Sequence, residues 1–454
     1  MISPARVAAL TALGDVNARR HDLPAAIARV RPGLKDERDR ALATDLVTGA
    51  LRWQQELDYL IEHFAKRPLA KLDFEVLQIL RLGAYQLMHL DRVPASAAVN
   101  DAVAQTRRAK KTSAAGLVNA VLRAIAASKG KGALPLPDKT DELAYLEVAL
   151  SHPRWLAERW LRRLGFADTE ARETFNNTAS PLTIRVNRLK TEPQALVDAL
   201  AKLGVDVVPA RYAPDAFVVT SGNPLRTPLA HSGMFFLQDE ASQLVSLLGA
   251  VKPGMRVLDT CASPGGKTTA MAASAGDRAE IVAADVRAAR VQLLRDTVRT
   301  SGAHSIRIVQ ADLEAGLPFG AIFDLVFVDA PCSGLGTIRR DPDIRWRRTE
   351  SDLPGLAGAQ NQMIRNAARV VAPGGTLVYS TCSSEPEENE AVVTAFVAGD
   401  PSFGPIDLHA ELRGGRSPHL APLEPVLDPA GFLRTLPERH GLEAFFGAVL
   451  RRVK

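Results

Sequence analysis

Apolar residues recur at three- and four-residue spacing through much of the first 127 positions. LATDLVTGALRWQQELDYLIEHF keeps that period, as does FEVLQILRLGAYQLMHL, where Phe74, Leu77, Leu80, Tyr85 and Met88 are among the apolar positions. SAAGLVNAVLRAIAA extends it. No strand-like alternation interrupts these stretches, so they predict an all-helical bundle. Residues 128–141, SKGKGALPLPDKTD, mix Lys, Gly and Pro without a period and read as a linker. The pattern then changes. HPRWLAERWLRRLG predicts an amphipathic helix closed by Gly165, and TIRVNRLK and FVVT predict short strands around the helix EPQALVDALAKLG. That is a small α+β module, and QDEASQLVSLLG leads out of it as a helix.

From residue 254 short apolar runs alternate with helical ones. RVLDTCA, EIVAADV, IRIVQADL, FDLVFVDAP and TLVYSTCS predict strands, with helices TTAMAASA, AARVQLLRDTVRTSG and QNQMIRNAARVVAPGG between them. This order predicts a doubly wound α/β domain with a parallel sheet, whose ligands bind at the carboxyl ends of the strands. Those ends carry Asp259 and Cys261, Asp285, Asp312, Asp329 and Cys332, and Cys382. Three domains are expected: 1–140, 141–240 and 241–454.

Composition changes this picture only at a few points. With 46% hydrophobic and 24% charged residues over 454 positions, wholesale disorder is excluded. Aromatics at 5% argue against a surface built of base-stacking platforms. The net charge of +5 is uneven: residues 1–140 hold 22 Lys and Arg against 14 acidic residues, while the rest is slightly acidic. The surplus is densest at Arg107, Arg108, Lys110 and Lys111, and a second basic cluster includes Arg339, Arg340, Arg345, Arg347 and Arg348. Such clusters suit nucleic-acid phosphates, or simply form a solvated face. Three cysteines with no Cys-x-x-Cys pair speak against a disulfide framework or a zinc ribbon. No metal is expected. The N-terminus lacks the apolar core of a signal peptide, and no apolar run is long enough to span a membrane, so a cytoplasmic protein is expected.

The turn CASPGGKTT, between a strand and a helix, invites three readings. A Walker A loop needs glycine where Cys261 stands, and the Gly-x-Gly-x-x-Gly dinucleotide pattern is missing. A nucleoside cofactor with an amino-acid tail remains: a tight turn lets backbone approach the tail, and Asp285 can accept ribose hydroxyls. Asp312 is then placed to face the adenine. S-adenosylmethionine meets these needs, whereas a purely packing role for Gly265 and Gly266 is the plain alternative. Cys332 and Cys382 each follow an apolar strand and precede a serine, with Asp329 close by. They suit a redox pair, or carbon methylation of a pyrimidine. In the latter a thiolate adds to C6 and makes C5 nucleophilic, while a carboxyl group holds the N3/N4 edge. The base has to be flipped out of any stack for this.

LQDEASQL, DTCASPGGKT, DAPCSGLGTIRRDPDIRW and YSTCSSEPEENE, in this order and spacing, resemble the RsmB-type (Sun/Fmu) 16S ribosomal RNA cytosine-5 methyltransferases. LRLGAYQL, VPASAAVNDAV and LVNAVLRAI resemble the NusB-like helical RNA-binding domain. The resemblance implies a multidomain chain: a NusB-like all-α bundle, a small α+β RNA-binding or connecting module, and a Rossmann-like class I methyltransferase. It implies Cys382 as nucleophile and Cys332 as the group for RNA release, with Asp329 beside them. It places the cofactor on Cys261, Ala262, Ser263, Pro264, Gly265, Gly266, Lys267, Asp285, Arg290, Asp312 and Asp329. RNA contacts are expected at Pro331, Arg107, Arg108, Lys110, Lys111, Arg339 and Arg340. The expected partner is 16S ribosomal RNA, and the expected state a monomer. Ser263 stands where the family often has Ala, and HGLEAFFGAVLRR lacks the usual Gly-Asp-Gly before Phe-Phe. A non-enzymatic RNA-binding or assembly factor is the rival reading. A DNA cytosine methyltransferase is another, with the Pro-Cys thiol as its nucleophile.

Overall fold

In a computed structural model, which describes residues 2–415 and 418–453, the chain forms two compact units. One comprises Met1–Ala179 with Ile338–Glu350, the other Ser180–Thr337 with Ser351–Lys454.

The first unit is helical, as the three- and four-residue spacing predicts. Its helices include Pro4–Asn17, Glu37–Arg52, Gln54–Ala65, Phe74–His89, Ala95–Arg108 and Ala115–Gly130. Asp36 and Asp73 accept backbone N–H groups at two of the helix starts, satisfying donors that have no partner inside the helix. Leu46, Leu51, Leu57, Leu60, Ile61 and Leu80 fill the core. The amphipathic segment HPRWLAERWLRRLG becomes the helix Arg154–Leu164 of this same unit, with Trp160 fully buried.

Residues 338–350 supply the unit's most deeply buried cation. Arg345 is fully buried. Its guanidinium donates to the Ser151 carbonyl at 2.8 Å, to Asn177 Oδ1 at 3.0 Å and to the Arg52 carbonyl at 3.3 Å. Trp346 Nε1 donates to the Leu51 carbonyl at 2.6 Å, and Asp343 accepts the Leu23 N–H at 3.2 Å. Burial pulls the Arg345 pKa down to about 9, Arg52 adding to the effect and the Glu173 carboxylate opposing it.

The second unit carries two sheets. The smaller has β1 (Thr183–Val186), β2 (Asp206–Pro209), β3 (Ala216–Ser221) and β4 (Phe235–Leu237), in the antiparallel order β2-β3-β1-β4. The larger contains β5 (Arg256–Asp259), β6 (Glu280–Asp285), β7 (Ile306–Gln310), β8 (Phe323–Asp329), β9 (Val371–Thr381), β10 (Phe403–Pro405), β11 (Leu433–Thr435) and β12 (Phe445–Arg452). Its order is β10-β12-β9-β8-β5-β6-β7, with β11 also paired to β12. The five strands β5 to β9 are parallel to one another, as the alternation predicts. The expectation of a wholly parallel sheet needs one correction: β12 runs antiparallel to β9, and β10 and β11 run antiparallel to β12. The order of β5 to β9 reverses between β5 and β8, which opens a crevice at their carboxyl ends. Among the described residues no helix is long and apolar enough to cross a membrane.

Replacing Arg345 with Ala removes a buried cation and strands the carbonyls it serves. A buried acceptor left without its donor costs about 1–3 kcal/mol. The first unfolding transition in urea should move to lower denaturant; an unmoved transition would show that the segment contributes nothing to the helical unit.

Candidate active site

The site grows from the ends of β5, β6, β8 and β9. After β5 the chain turns through Cys261–Gly265 into the helix Gly266–Ser274. Gly265 has φ +103°, a conformation L side chains rarely adopt, and an added Cβ would lie 2.9 Å from Leu294. The turn is anchored to the next strand: Ala262 N–H donates to the Ala284 carbonyl at 2.9 Å, and Ser263 N–H to Asp285 Oδ2 at 3.3 Å. Asp285, at the tip of β6, is 4% exposed; Arg290 approaches it at 4.0 Å. Asp312 is exposed beyond β7 and accepts the Glu314 N–H at 2.9 Å.

Lys267 crosses from the first turn of the helix to Asp329 at the end of β8, with Nζ 2.7 Å from Oδ2. Ser380 donates to the other Asp329 oxygen at 2.9 Å. Burial lowers the Lys267 pKa, but the Asp329 charge and hydrogen bond outweigh it, and the ammonium is held; Cys382 adds to this. Asp259 is buried below the turn, where burial pushes its pKa up to about 7 against the hydrogen bond from Thr268. Burial pushes the Cys261 thiol up as well, with Asp259 and Asp329 reinforcing, so Cys261 stays a neutral thiol.

The two remaining cysteines meet. Cys332 Sγ and Cys382 Sγ are 3.2 Å apart, both half-buried and unbridged. The Cys332 pKa is raised well above that of a free thiol, first by its hydrogen bond to Cys382, then by burial and by the Cys382 and Glu388 charges. Either sulfur can be the donor in this contact.

Of the predicted residues, the structure brings the turn, Lys267, Asp285, Asp329, Cys332 and Cys382 onto adjoining strand ends, with Pro331 exposed beside them. The fit to S-adenosylmethionine rests on two features: a carboxylate, Asp285, at the tip of β6 beside the turn, and strand ends open at the switch point. Arg107, Arg108, Lys110, Lys111, Arg339 and Arg340 belong to the other unit. Arg107, Arg108 and Lys110 are exposed. Lys111 pairs with Asp73 at 2.6 Å and Glu75 at 3.2 Å. Arg339 lies 4.3 Å over the Phe175 ring and donates to the Ala179 carbonyl.

Sequence reasoning missed the residues that hold these loops. Ser380 orients Asp329, and Gln360 donates to the Pro331 carbonyl at 3.0 Å. Arg185 of β1 reaches the start of the cofactor helix, donating to the Gly266 carbonyl and to Thr269 Oγ1. The serines that follow Cys332 and Cys382 are visible in the sequence, but nothing there points to Ser380, Gln360 or Arg185.

Comparison with known proteins agrees with this architecture. The 16S rRNA methyltransferase RsmB/F family matches residues 246–451, the NusB family 3–127, and the RsmF/B-like ferredoxin-like domain 152–226. The probable ribosomal RNA small subunit methyltransferase B of Synechocystis is 34% identical over all of both chains. The ribosomal RNA small subunit methyltransferase B of Pseudomonas putida is 36% identical over 87% of this chain and 88% of its own. The crystal structure of PH0851 superposes with a TM-score of 0.81 at 27% identity, covering 99% of each chain. With its NusB domain, ferredoxin-like module and methyltransferase sheet in this order, the chain belongs to the RsmB/F family of 16S rRNA methyltransferases.

Proposed function

We propose that the protein transfers a methyl group to C5 of a cytosine in 16S ribosomal RNA through a covalent bond between Cys382 and C6. The observation that carries this reading is the pair of unbridged sulfurs 3.2 Å apart at the ends of β8 and β9, beside the Lys267–Asp329 pair. S-adenosylmethionine, when bound, supplies an electrophilic methyl group. The chain's part is to raise the nucleophilicity of C5, which is too low in free cytosine.

Electrostatics favour Cys382 as the attacking sulfur. The Lys267 ammonium lies within electrostatic reach of it, and the Cys332 sulfur is 3.2 Å away; a cation beside a sulfur favours attack by it. Addition forms a carbon–sulfur bond at C6 and shifts the ring electrons to C5. Asp329, held by Lys267 and Ser380, meets the N3/N4 edge and supports the charge that develops there. After transfer a base removes the C5 proton, the C5–C6 double bond re-forms, and the Cys382 thiolate leaves. Cys332 stands beside the breaking bond and serves release. Among the cofactor residues, backbone from Cys261 to Gly266 takes the amino-acid tail and Asp285 the ribose, with Asp312 and Arg290 at the adenosine side.

The exposed cations of the helical unit give the RNA its general affinity. Replacing Arg107, Arg108 and Lys110 with Gln should weaken RNA binding and leave cofactor binding intact. The salt slope should fall by about one for each phosphate that is no longer neutralised. A filter-binding salt titration with the wild-type slope would dissociate these residues from RNA.

Gly266→Val puts a side chain where backbone meets the cofactor tail, and Asp285→Ala removes an acceptor. Each should raise the Kd for S-adenosylmethionine about tenfold or more, corresponding to about 1.4 kcal/mol. Calorimetry giving wild-type affinity for both variants would move the cofactor elsewhere.

Cys382→Ala should abolish methylation and leave no protein–RNA adduct on denaturing electrophoresis. Cys332→Ala should stall after methyl transfer and accumulate an adduct through Cys382. A redox pair predicts no adduct in either variant, and the DNA-type assignment predicts one in Cys382→Ala. An adduct with that variant would overturn the assignment.

A further inference from the structure

One buried carboxylate touches both thiol loops and has no part in the chemistry above. Glu388 lies on the short turn Pro386–Glu388 after β9 and is fully buried. The Ser333 backbone N–H at 2.7 Å and Gln360 Nε2 at 3.0 Å donate to its Oε1. The Ser333 and Ser383 hydroxyls donate to Oε2 and lie 3.2 Å from each other. Ser333 follows Cys332, and Ser383 follows Cys382. Further ties run the same way: Gly336 N–H donates to the Cys382 carbonyl at 3.0 Å, and Tyr379 OH to the Glu388 carbonyl at 2.6 Å. A buried carboxylate costs several kcal/mol unless such donors satisfy it. Here the donors to the carboxylate sit on the two cysteine loops or on Gln360, which itself braces Pro331.

We propose that Glu388 is a positioning residue: its carboxylate ties the Pro-Cys and Thr-Cys loops together and fixes the Cys332 and Cys382 sulfurs side by side. The proposal rests on the reading of these thiols as catalytic. The serine hydroxyls act as the connectors, since each belongs to the residue next to a reacting sulfur and both reach one oxygen. Charge adds to geometry. Cys332 is faced by Cys382 and Tyr379 from β9 and by Glu388, whereas Cys382 has Lys267 near it. The Glu388 charge adds to the Cys382 hydrogen bond and to burial in raising the Cys332 thiol.

Glu388→Gln separates charge from shape. Its carbonyl can still accept from Ser333 N–H and Gln360, and its amide can donate to the two hydroxyls, which are free to turn and accept. Iodoacetamide labelling of the full-length protein, mapped by mass spectrometry across pH, reads the Cys332 thiol without substrate. The labelling midpoint of Cys332 should fall in Glu388→Gln, because one of the charges that raise it is gone. Methylation of small-subunit RNA should fall about tenfold or more in kcat, with the Kd for S-adenosylmethionine unchanged. An unchanged midpoint, or wild-type kcat, overturns the proposal. Ser333→Ala with Ser383→Ala removes both donors to Oε2 and covers a Gln variant that does not fold. A drop in kcat of about fivefold or more in this double variant supports the proposal, and wild-type kcat overturns it. If the wild-type protein does not methylate cytosine, the functional reading fails alone, because the labelling midpoint still reports on Glu388.

Discussion

Parallel pairing of β8 with β9, with Asp329 opposite Ser380, determines where the reactive groups of the second unit stand. Both strands give out at the same level, so the loops that follow leave the sheet side by side. Cys332 comes three residues after Asp329 and Cys382 two after Ser380, which brings their sulfurs together. Val326, Phe327, Val328, Leu377, Val378 and Tyr379 are all fully buried, on both faces of the two strands. A slip of one residue would turn every one of these side chains to the opposite face and part the loops. The apolar interior therefore enforces the register, and the register places the chemistry.

The same strand ends create an uneven field. The Lys267 ammonium interacts with Cys382, and the Glu388 carboxylate, bonded to both loops, raises the Cys332 thiol. Two identical thiols in contact are thereby made unequal by their surroundings alone. Environment separates the roles of like groups in this way whenever burial and a neighbouring charge differ between them.

Much of the second unit was legible because its central strands are short apolar runs that end in acids or cysteines. Asp285, Asp329, Cys332 and Cys382 could be named from that pattern, and the sheet does gather them. The antiparallel edge was not legible. FFGAVLRR is an apolar run whose periodicity suits helix or strand, and β10 contains Pro405 and spans three residues. RRDPDIRWRR reads as a basic surface because composition cannot reveal that carbonyls of Ser151 and Arg52 await a guanidinium. Glu388 was hidden among the neighbouring acids of PEENE, and only tertiary packing singles it out for burial.

The position of Arg345 in the chain imposes an order on the protein's birth. The helices of the first unit that precede the second unit end by Asn176, yet the cation that satisfies Ser151 and Asn177 lies on the later helix Ile344–Arg347, beyond an intervening stretch of the second unit. At roughly 5–20 residues per second, a ribosome leaves the helical unit waiting on the order of ten seconds for that residue to emerge. During that interval the Ser151 carbonyl and the Asn177 side chain lack their guanidinium donor. Translation halted before residue 338 would release a chain without the guanidinium that these groups accept from.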